Sequence, residues 1–162
     1  MSQTPWWQGK RGEWYVVVQV VFFLLVAFGP RAWPGLPEWT PPFTWLGFIA
    51  GGLLILLGGF LSLAGLLGLG PNLTALPYPK DDATFVETGP YRLVRHPIYS
   101  GLILAAFGWA LWVNGWLTLG YAALLFVLFD LKSRREEGWL KEKFAGYEAY
   151  QKRVRKLIPF VY

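Results

Sequence analysis

Residues 43–70 form an unbroken run of 28 residues without a charged side chain. A helix that crosses the hydrocarbon core of a bilayer needs about 20 apolar residues, and a longer one tilts or bends. Hydrophobic residues make up 54% of the chain and charged residues only 15%, which is unusual for a water-soluble domain. The sequence therefore predicts an integral membrane protein that contains this run as one span.

Three further apolar segments predict three further spans, at about residues 14–30, 97–113 and 116–131. Only a short turn separates the last two, so we expect them to form an antiparallel helical hairpin. Both are marginal in length, and a re-entrant hairpin is the alternative. The predicted fold class is all-α and integral to the membrane, with about four transmembrane helices in a single domain, residues 1–162.

The positive charges predict the orientation of these spans. With four spans, every Lys and Arg except Arg31 falls on the side that holds both termini and the middle loop. Cytoplasmic loops carry an excess of Lys and Arg, so we expect both termini in the cytoplasm. Residues 132–162 then form a cytoplasmic helical tail. This topology accounts for the net charge of +5, and we expect no nucleic-acid partner.

Small residues four apart occur twice in the longest span, as Gly47 with Gly51 and as Gly58 with Ser62. Small residues at this spacing let a neighbouring helix approach closely. We expect them to serve tight packing within the bundle rather than a dedicated dimer interface. The oligomeric state is left open.

A polar elbow, residues 89–101, lies between the second and third spans and contains the chain's only His, His96. Its two prolines restrict the backbone, and Pro97 is well placed as the first residue of a helix. One interpretation is an ordinary basic loop that contacts lipid headgroups. The other is a binding site, because two tyrosines and an imidazole cluster around the prolines.

The start of the tail carries a second group of charged residues, which includes Lys132, Arg134, Glu136 and Glu137. If the fourth span continues as a helix, Lys132 and Glu136 lie one turn apart on one face. Ionisable groups at the edge of a span are candidates for function, although exposed pairs of this kind are usually solvated. Together with the elbow they offer groups for a ligand that has an amino-acid end and a nucleoside end.

The absence of cysteine excludes disulfides, a thiolate nucleophile and cysteine-ligated metals. With a single His and no cluster of His, Asp and Glu at ligand spacing, we expect no metal site.

The two motifs, in this order, resemble the isoprenylcysteine carboxyl methyltransferases and the related phospholipid methyltransferases, which are integral membrane enzymes. The resemblance covers about half of the chain, from about Leu76 to its end. The elbow has the form Gly-x-Tyr-(x)3-Arg-His-Pro-x-Tyr-x-Gly, matched by Gly89, Tyr91, Arg95, His96, Pro97, Tyr99 and Gly101. The tail matches through Glu136, Glu137, Leu140 and Phe144, and its ending through Tyr147, Tyr150, Arg153, Val154, Leu157, Ile158 and Pro159.

The resemblance implies S-adenosyl-L-methionine as the methyl donor and a lipophilic or prenylated substrate. It assigns cofactor binding to Ala83, Thr84, Phe85, Val86, Tyr91, Arg95, His96, Pro97, Ile98, Tyr99 and Glu136. It assigns Lys132, Arg134 and Glu137 to the reacting groups. The family often has an arginine where this chain has Lys132, and lysine keeps the charge but loses the bidentate fork.

The resemblance implies methyl transfer to an isoprenylcysteine-carboxylate-like acceptor at the cytoplasmic membrane face. A phospholipid amine and a small thiol are alternative acceptors. An NADPH-dependent membrane reductase and a non-enzymatic lipid-binding protein are the competing classes. The chain length favours a prokaryotic cell membrane.

Overall fold

A computed structural model of the chain describes residues 9–162, so the first eight residues of the predicted single domain lie outside the described range. Within it the regular structure is helical and contains no strand, so the predicted all-α class is confirmed. Short 3-10 turns lie at Gly70–Asn72 and Gly89–Arg92. The α-helices are α1 (Glu13–Phe28), α2 (Phe43–Leu69), α3 (Pro97–Trp112), α4 (Trp116–Lys143) and α5 (Tyr147–Arg153).

Two of these helices, α2 and α4, are long and apolar enough to cross a membrane. The other two predicted spans are shorter helices, because α1 and α3 have 16 residues each. At 1.5 Å per residue such a helix is about 24 Å long, somewhat less than the roughly 30 Å of a hydrocarbon core. The structure therefore supports two of the four predicted spans by length and composition.

Helix α4 does not end at residue 131, where the predicted fourth span ends, but continues to Lys143. Its charged half consists largely of Lys, Arg, Glu and Leu, which have high helix propensity. The tail is therefore not a separate helical unit at its start. This continuation carries Lys132, Glu136 and Glu137 on the same rigid helix that crosses the bundle.

Helices α2 and α3 pack along a line of glycines. A Cβ built on Gly51 would lie 2.6 Å from the carbonyl oxygen of Gly108, and Gly58 and Gly101 make an equally close pair. The predicted tight packing of the small residues within the bundle is thus confirmed. The opposite face of α2 is strongly exposed and carries Leu56, Phe60 and Leu67, as expected for a surface that contacts lipid.

The remaining helices complete the bundle in the order α2, α3, α4, α1, since α4 contacts both α3 and α1. Ile103 and Ala106 of α3 meet Leu125 and Phe129 of α4 in the buried core. The segment after α5 returns to the elbow, where the backbone N–H of His96 donates to the carbonyl of Lys156 at 3.2 Å. This return fixes the elbow against the end of the chain.

Candidate functional site

A cavity of about 310 Å³ lies where the elbow, the preceding loop and the charged half of α4 meet. All four long helices contribute to its walls, α1 through Gln19 and α2 through Leu69. Every residue for which the resemblance implies cofactor binding lines this cavity. These residues are Ala83, Thr84, Phe85, Val86, Tyr91, Arg95, His96, Pro97, Ile98, Tyr99 and Glu136.

The elbow has a backbone that its sequence makes rigid. Gly89 has a φ of +59°, in the left-handed region that glycine adopts without strain. A 3-10 turn follows, and Pro97 is the first residue of α3. His96 is thereby held, largely buried, at the junction of the turn and the helix.

Buried tyrosines brace the elbow from two sides. The hydroxyl of Tyr91 donates to the carbonyl of Gly65 on α2 at 3.2 Å, and the hydroxyl of Tyr150 donates to the carbonyl of Tyr91 at 2.6 Å. Burial raises the pKa of both phenols above their usual range. They therefore remain protonated donors and add no charge to the cavity.

Glu137 joins three elements beneath the cavity rather than lining it. Its Oε1 lies 2.7 Å from Nε of Arg95 and 3.1 Å from Nε2 of His96. Its Oε2 accepts a hydrogen bond from Nε2 of Gln151 at 2.8 Å. Arg95 also donates to the carbonyls of Gln151 and Val154. In this arrangement Glu137 holds the imidazole in place and neutralises the guanidinium.

The neighbouring carboxylate, Glu136, lines the cavity itself. Its Oε2 accepts a hydrogen bond from the hydroxyl of Tyr99 at 2.8 Å and lies 3.9 Å from Nδ1 of His96. The rings of His96 and Tyr99 are parallel, with centroids 5.4 Å apart, and Tyr99 stacks in turn on Phe129. This stack fixes the donors that orient Glu136, so its second oxygen is available to a ligand.

Lys132 is only 2% exposed, although it carries an ammonium group. Its Nζ donates to Oε1 of Gln19 at 2.7 Å and to the carbonyl of Ala75 at 3.1 Å. The same nitrogen lies 5.2 Å from the centroid of the Tyr99 ring. Lys132 thus lies in the cavity wall near Glu136 and connects α4 to α1.

Arg134, which was expected among the reacting groups, does not line the cavity. Its Nε donates to Asp130 at 2.8 Å and its Nη2 donates to the hydroxyl of Tyr162 at 3.1 Å. Two residues correspond to about 200° around an α-helix, so Lys132 and Arg134 project from different faces of α4. The structure thus places Lys132 in the cavity wall and Arg134 outside it, and the assignment of both to the reacting groups stays a prediction.

Aromatic side chains from the loop and the tail form another part of the cavity wall. Phe85 stacks on Phe144 with ring centroids 5.6 Å apart and also contacts Tyr147 and Tyr150. The sequence motif includes Phe144, Tyr147 and Tyr150, but sequence reasoning did not assign them to the cofactor site. Phe144, Tyr147 and Tyr150 follow one another at intervals of three residues, and this near-helical spacing could have indicated that they share one face.

The loop before the elbow covers the cavity. Its backbone is held by Asn72, whose Oδ1 accepts from the N–H of Thr84 at 2.8 Å. At the end of α4, Nζ of Lys143 donates to the carbonyls of Lys80 and Asp81. The loop is therefore fastened both to the end of α2 and to the charged half of α4.

Gln19 is a further residue of this cavity that sequence reasoning missed. Between Val16 and Phe28 it is the only polar residue, and a polar side chain within an apolar helix was a usable signal. Its partner could not be foreseen, because Lys132 lies 113 residues further along the chain.

A family model described as phospholipid methyltransferase matches residues 46–146, more than half of the chain. The chain is 32% identical over 84 residues to a probable protein-S-isoprenylcysteine O-methyltransferase of Oryza sativa subsp. indica, covering 51% of this chain and 44% of that protein. It is 31% identical over 151 residues to a methanethiol S-methyltransferase of Pseudomonas deceptionensis, covering 89% of this chain and 55% of the relative.

A steroid 5-alpha-reductase DET2 of Gossypium hirsutum is also similar, with 30% identity over 126 residues, 73% of this chain and 44% of the relative. The chain spans about half the length of these curated relatives. The range matched by the family model contains the elbow, Lys132 and Glu136, whereas α1 with Gln19 lies outside it.

Proposed function

The chain belongs to the phospholipid methyltransferase family, and we propose that it transfers a methyl group from S-adenosyl-L-methionine to a lipophilic acceptor. The proposed reaction takes place at the cytoplasmic face of the membrane, the side on which the excess of Lys and Arg predicts the elbow and both termini. An isoprenylcysteine-like carboxylate is the first acceptor class. A small thiol and a phospholipid amine are the alternatives, in keeping with the names of the family and of its relatives.

One observation carries the proposal: the residues for which the sequence motifs imply cofactor binding, from two separate parts of the chain, line a single cavity. They come from the loop, the elbow and α4, which are connected through Glu136, His96 and Tyr99. A loop that only contacted lipid headgroups would not need a buried carboxylate and a buried imidazole beside one another.

The chemistry of the lining fits this donor. Glu136 has an oxygen that can accept hydrogen bonds from a ribose diol. The aromatic wall around Phe85 offers ring faces to a base and to a sulfonium cation. The backbone of residues 83–86 borders the same space. When bound, S-adenosyl-L-methionine supplies an activated methyl group for in-line displacement.

The chain's own contribution is position and the exclusion of water. Tyr99 and His96 fix Glu136, Glu137 fixes His96, and the loop held by Asn72 and Lys143 closes the space above them. Correct positioning of two reactants contributes up to about 7–11 kcal/mol to lowering a barrier. No covalent intermediate with the protein is needed for such a displacement.

The helix arrangement gives a lipophilic acceptor a route from the bilayer. Helix α1 packs on α4 while α2 packs on α3, so α1 and α2 lie at opposite ends of the row of helices. The cavity reaches Gln19 on α1, Leu69 on α2 and Leu102 on α3. Because α1 and α2 both border the cavity without packing on each other, we propose that the acceptor enters from the bilayer through the gap between them, in front of Leu102 of α3. The water-soluble donor enters beside the covering loop.

Calorimetric titration of the purified chain with S-adenosyl-L-methionine, in detergent supplemented with bilayer lipid, tests the cofactor. We expect binding, and we expect Glu136→Gln to weaken it about tenfold or more, since hydrogen bonds to a charged group are worth about 1.5–3 kcal/mol. Glu142→Gln, an exposed change on the same helix, serves as the matched control and leaves the affinity unchanged. Absence of binding to the unaltered chain would remove the proposal.

The similarity to a steroid reductase favours a second candidate, NADPH-dependent reduction of a lipophilic substrate. The cavity supports it less well. Arg95 is already paired with Glu137, which leaves Lys132, one helical turn from the carboxylate of Glu136, as the lining cation for the phosphates of a dinucleotide. The same titration with NADPH decides the matter, because binding of NADPH in place of the methyl donor would favour the reductase.

A further inference from the structure

Lys132 is a buried cation that forms no direct ion pair with a side chain among residues 9–162. Within residues 9–162 no carboxylate forms an ion pair with its Nζ, and both of its hydrogen-bond acceptors, Gln19 and the carbonyl of Ala75, are neutral. Glu136 is the nearest acid along the helix, but its Oε2 is bonded to Tyr99. Buried charges in proteins are normally paired directly, so this ammonium lacks a counter-ion in contact with its Nζ, and Glu136 acts on it only at longer range.

The geometry leaves one direction for that counter-ion. An ammonium has three N–H donors, and two of them are used by Gln19 and Ala75. Lys132, Gln19 and Ala75 all lie in the cavity lining, so the third donor has the cavity as its nearest open space. An anion placed there would complete the coordination of Nζ next to the Tyr99 ring.

Gln19 decides what charge this end of the cavity presents. A neutral amide accepts a hydrogen bond from Lys132 and leaves the ammonium without a direct ion pair, whereas a glutamate at the same place would supply one. Gln19 is also the only polar residue of its apolar stretch, where burying an amide requires a partner. It lies outside the range matched by the family model, so the family match does not assign it a role.

We infer that Gln19 and Lys132 together form the acceptor end of the cavity and select an acceptor that attacks as an anion, a thiolate or a carboxylate. This inference rests on the proposed methyl transfer and narrows its acceptor class. An alkylammonium headgroup at this end of the cavity would face the directly unpaired ammonium of Lys132, and repulsion between like charges would discriminate against it. Gln19 acts through Lys132 and is therefore a positioning residue.

The transfer balances without a base. The anionic sulfur or oxygen of the acceptor forms the new bond to the methyl carbon as the methyl–sulfur bond of the donor breaks. The electron pair of the broken bond stays on the donor sulfur, which becomes a neutral thioether. The acceptor becomes a neutral thioether or ester. A carboxylate arrives already ionised, whereas a thiol first gives its proton to solvent, and the ammonium of Lys132 favours the resulting thiolate. An ammonium acceptor would first have to lose a proton beside Lys132.

Labelled-methyl transfer by the full chain tests the selection with three probes: a long-chain alkyl thiol, an S-prenylated N-acylcysteine, and vesicles containing phosphatidylethanolamine. We expect methylation of the thiol or of the carboxylate and none of the phosphatidylethanolamine. Faster methylation of the amine than of both anionic probes would overturn the inference, while leaving the methyl-transfer proposal intact. Failure to bind the donor at all would instead remove the underlying proposal.

Gln19→Glu separates selection from a purely structural tie between α1 and α4. A structural tie would tolerate this change, because a carboxylate bonds an ammonium more strongly than an amide does. Selection predicts that the variant binds the donor with unchanged affinity and loses about tenfold or more in kcat/KM for the anionic acceptor. Retention of that kcat/KM would overturn the inference.

If Gln19→Glu does not fold, Gln19→Leu provides a second test of the inference. Leucine is compatible with the apolar helix α1. We expect the KM for the anionic acceptor to rise while the donor affinity stays the same. Val20→Leu, a lipid-exposed change one residue along α1, is the matched control. A weakened donor affinity in Gln19→Leu, with acceptor KM unchanged, would mean that Lys132 pairs with the donor's own carboxylate, and would contradict our assignment.

Discussion

Two close contacts in this chain, one between two helices and one between the elbow and a helix, rest on opposite chemistry. Between α2 and α3, glycines let backbone meet backbone, and no charged side chain takes part. Between the elbow and α4, the contact is made by Arg95 and His96 on Glu137. The first joins two apolar helices, and the second lies at the edge of a cavity whose lining carries charged and polar side chains. The comparison shows that the membrane-embedded scaffold and the chemical site draw on separate sets of residues.

The largest effect is expected where the charged contact is broken. Glu137→Ala leaves Arg95 and His96 without their common partner in a largely buried place, and breaking a buried pair costs about 3–5 kcal/mol. We expect a clear fall in the apparent melting temperature in detergent, together with loss of donor binding. Glu142→Ala on the exposed end of α4 provides the reference. Unchanged stability of Glu137→Ala would show that the charged contact is dispensable.

The glycine contact gives the next largest effect. In Gly51→Ala the new Cβ would lie 2.6 Å from the carbonyl of Gly108, so the helices must separate, and overpacking costs about 1–3 kcal/mol. Gly59 lies on the same helix with open space around it. Gly59→Ala should therefore leave the stability unchanged or raise it, because alanine has a higher helix propensity than glycine. Thermal unfolding of both variants measures the difference, and equal melting temperatures would argue against close packing.

A smaller effect is expected within the cavity. Tyr99→Phe keeps the ring stack with His96 and Phe129 but removes the hydrogen bond to Glu136. A bond to a charged group contributes about 1.5–3 kcal/mol, so we expect donor affinity to fall about tenfold with little change in melting temperature. Tyr121→Phe is the control, since Tyr121 lies outside the cavity lining. A fall in stability without a change in affinity would give Tyr99 a scaffold role only.

The sequence allowed prediction of part of this cavity, because many of the polar and aromatic residues that line it lie in two short motifs. The prolines and Gly89 determine the elbow locally, and the periodicity of the tail indicates a helix that carries Glu136. The all-helical class followed from the apolar runs. The motif also covered Phe144, although its contact with Phe85 depends on how the loop folds back.

What sequence alone could not supply depended on tertiary contacts or on helix phase. The pairing of Gln19 with Lys132 joins α1 to α4, and no local pattern indicates that these helices are neighbours. The sequence did not decide whether α4 continues beyond residue 131, because a change from apolar to charged residues does not by itself end a helix. The lengths of α1 and α3 likewise depend on where loops begin rather than on hydropathy.

The smallest effect separates the two basic residues that the sequence had grouped together. Arg134→Gln removes an exposed partner of Asp130, which keeps its contacts with Lys156 and Tyr162. We expect no measurable change in donor affinity or in acceptor KM, because exposed ion pairs contribute little and Arg134 does not line the cavity. Lys132→Met, in contrast, should lower kcat/KM for an anionic acceptor while keeping the methylene packing of the buried side chain. If Arg134→Gln impaired methyl transfer as strongly as Lys132→Met, the acceptor would have to reach the outer face of α4, and the division between scaffold and site drawn from the two helix contacts would fail.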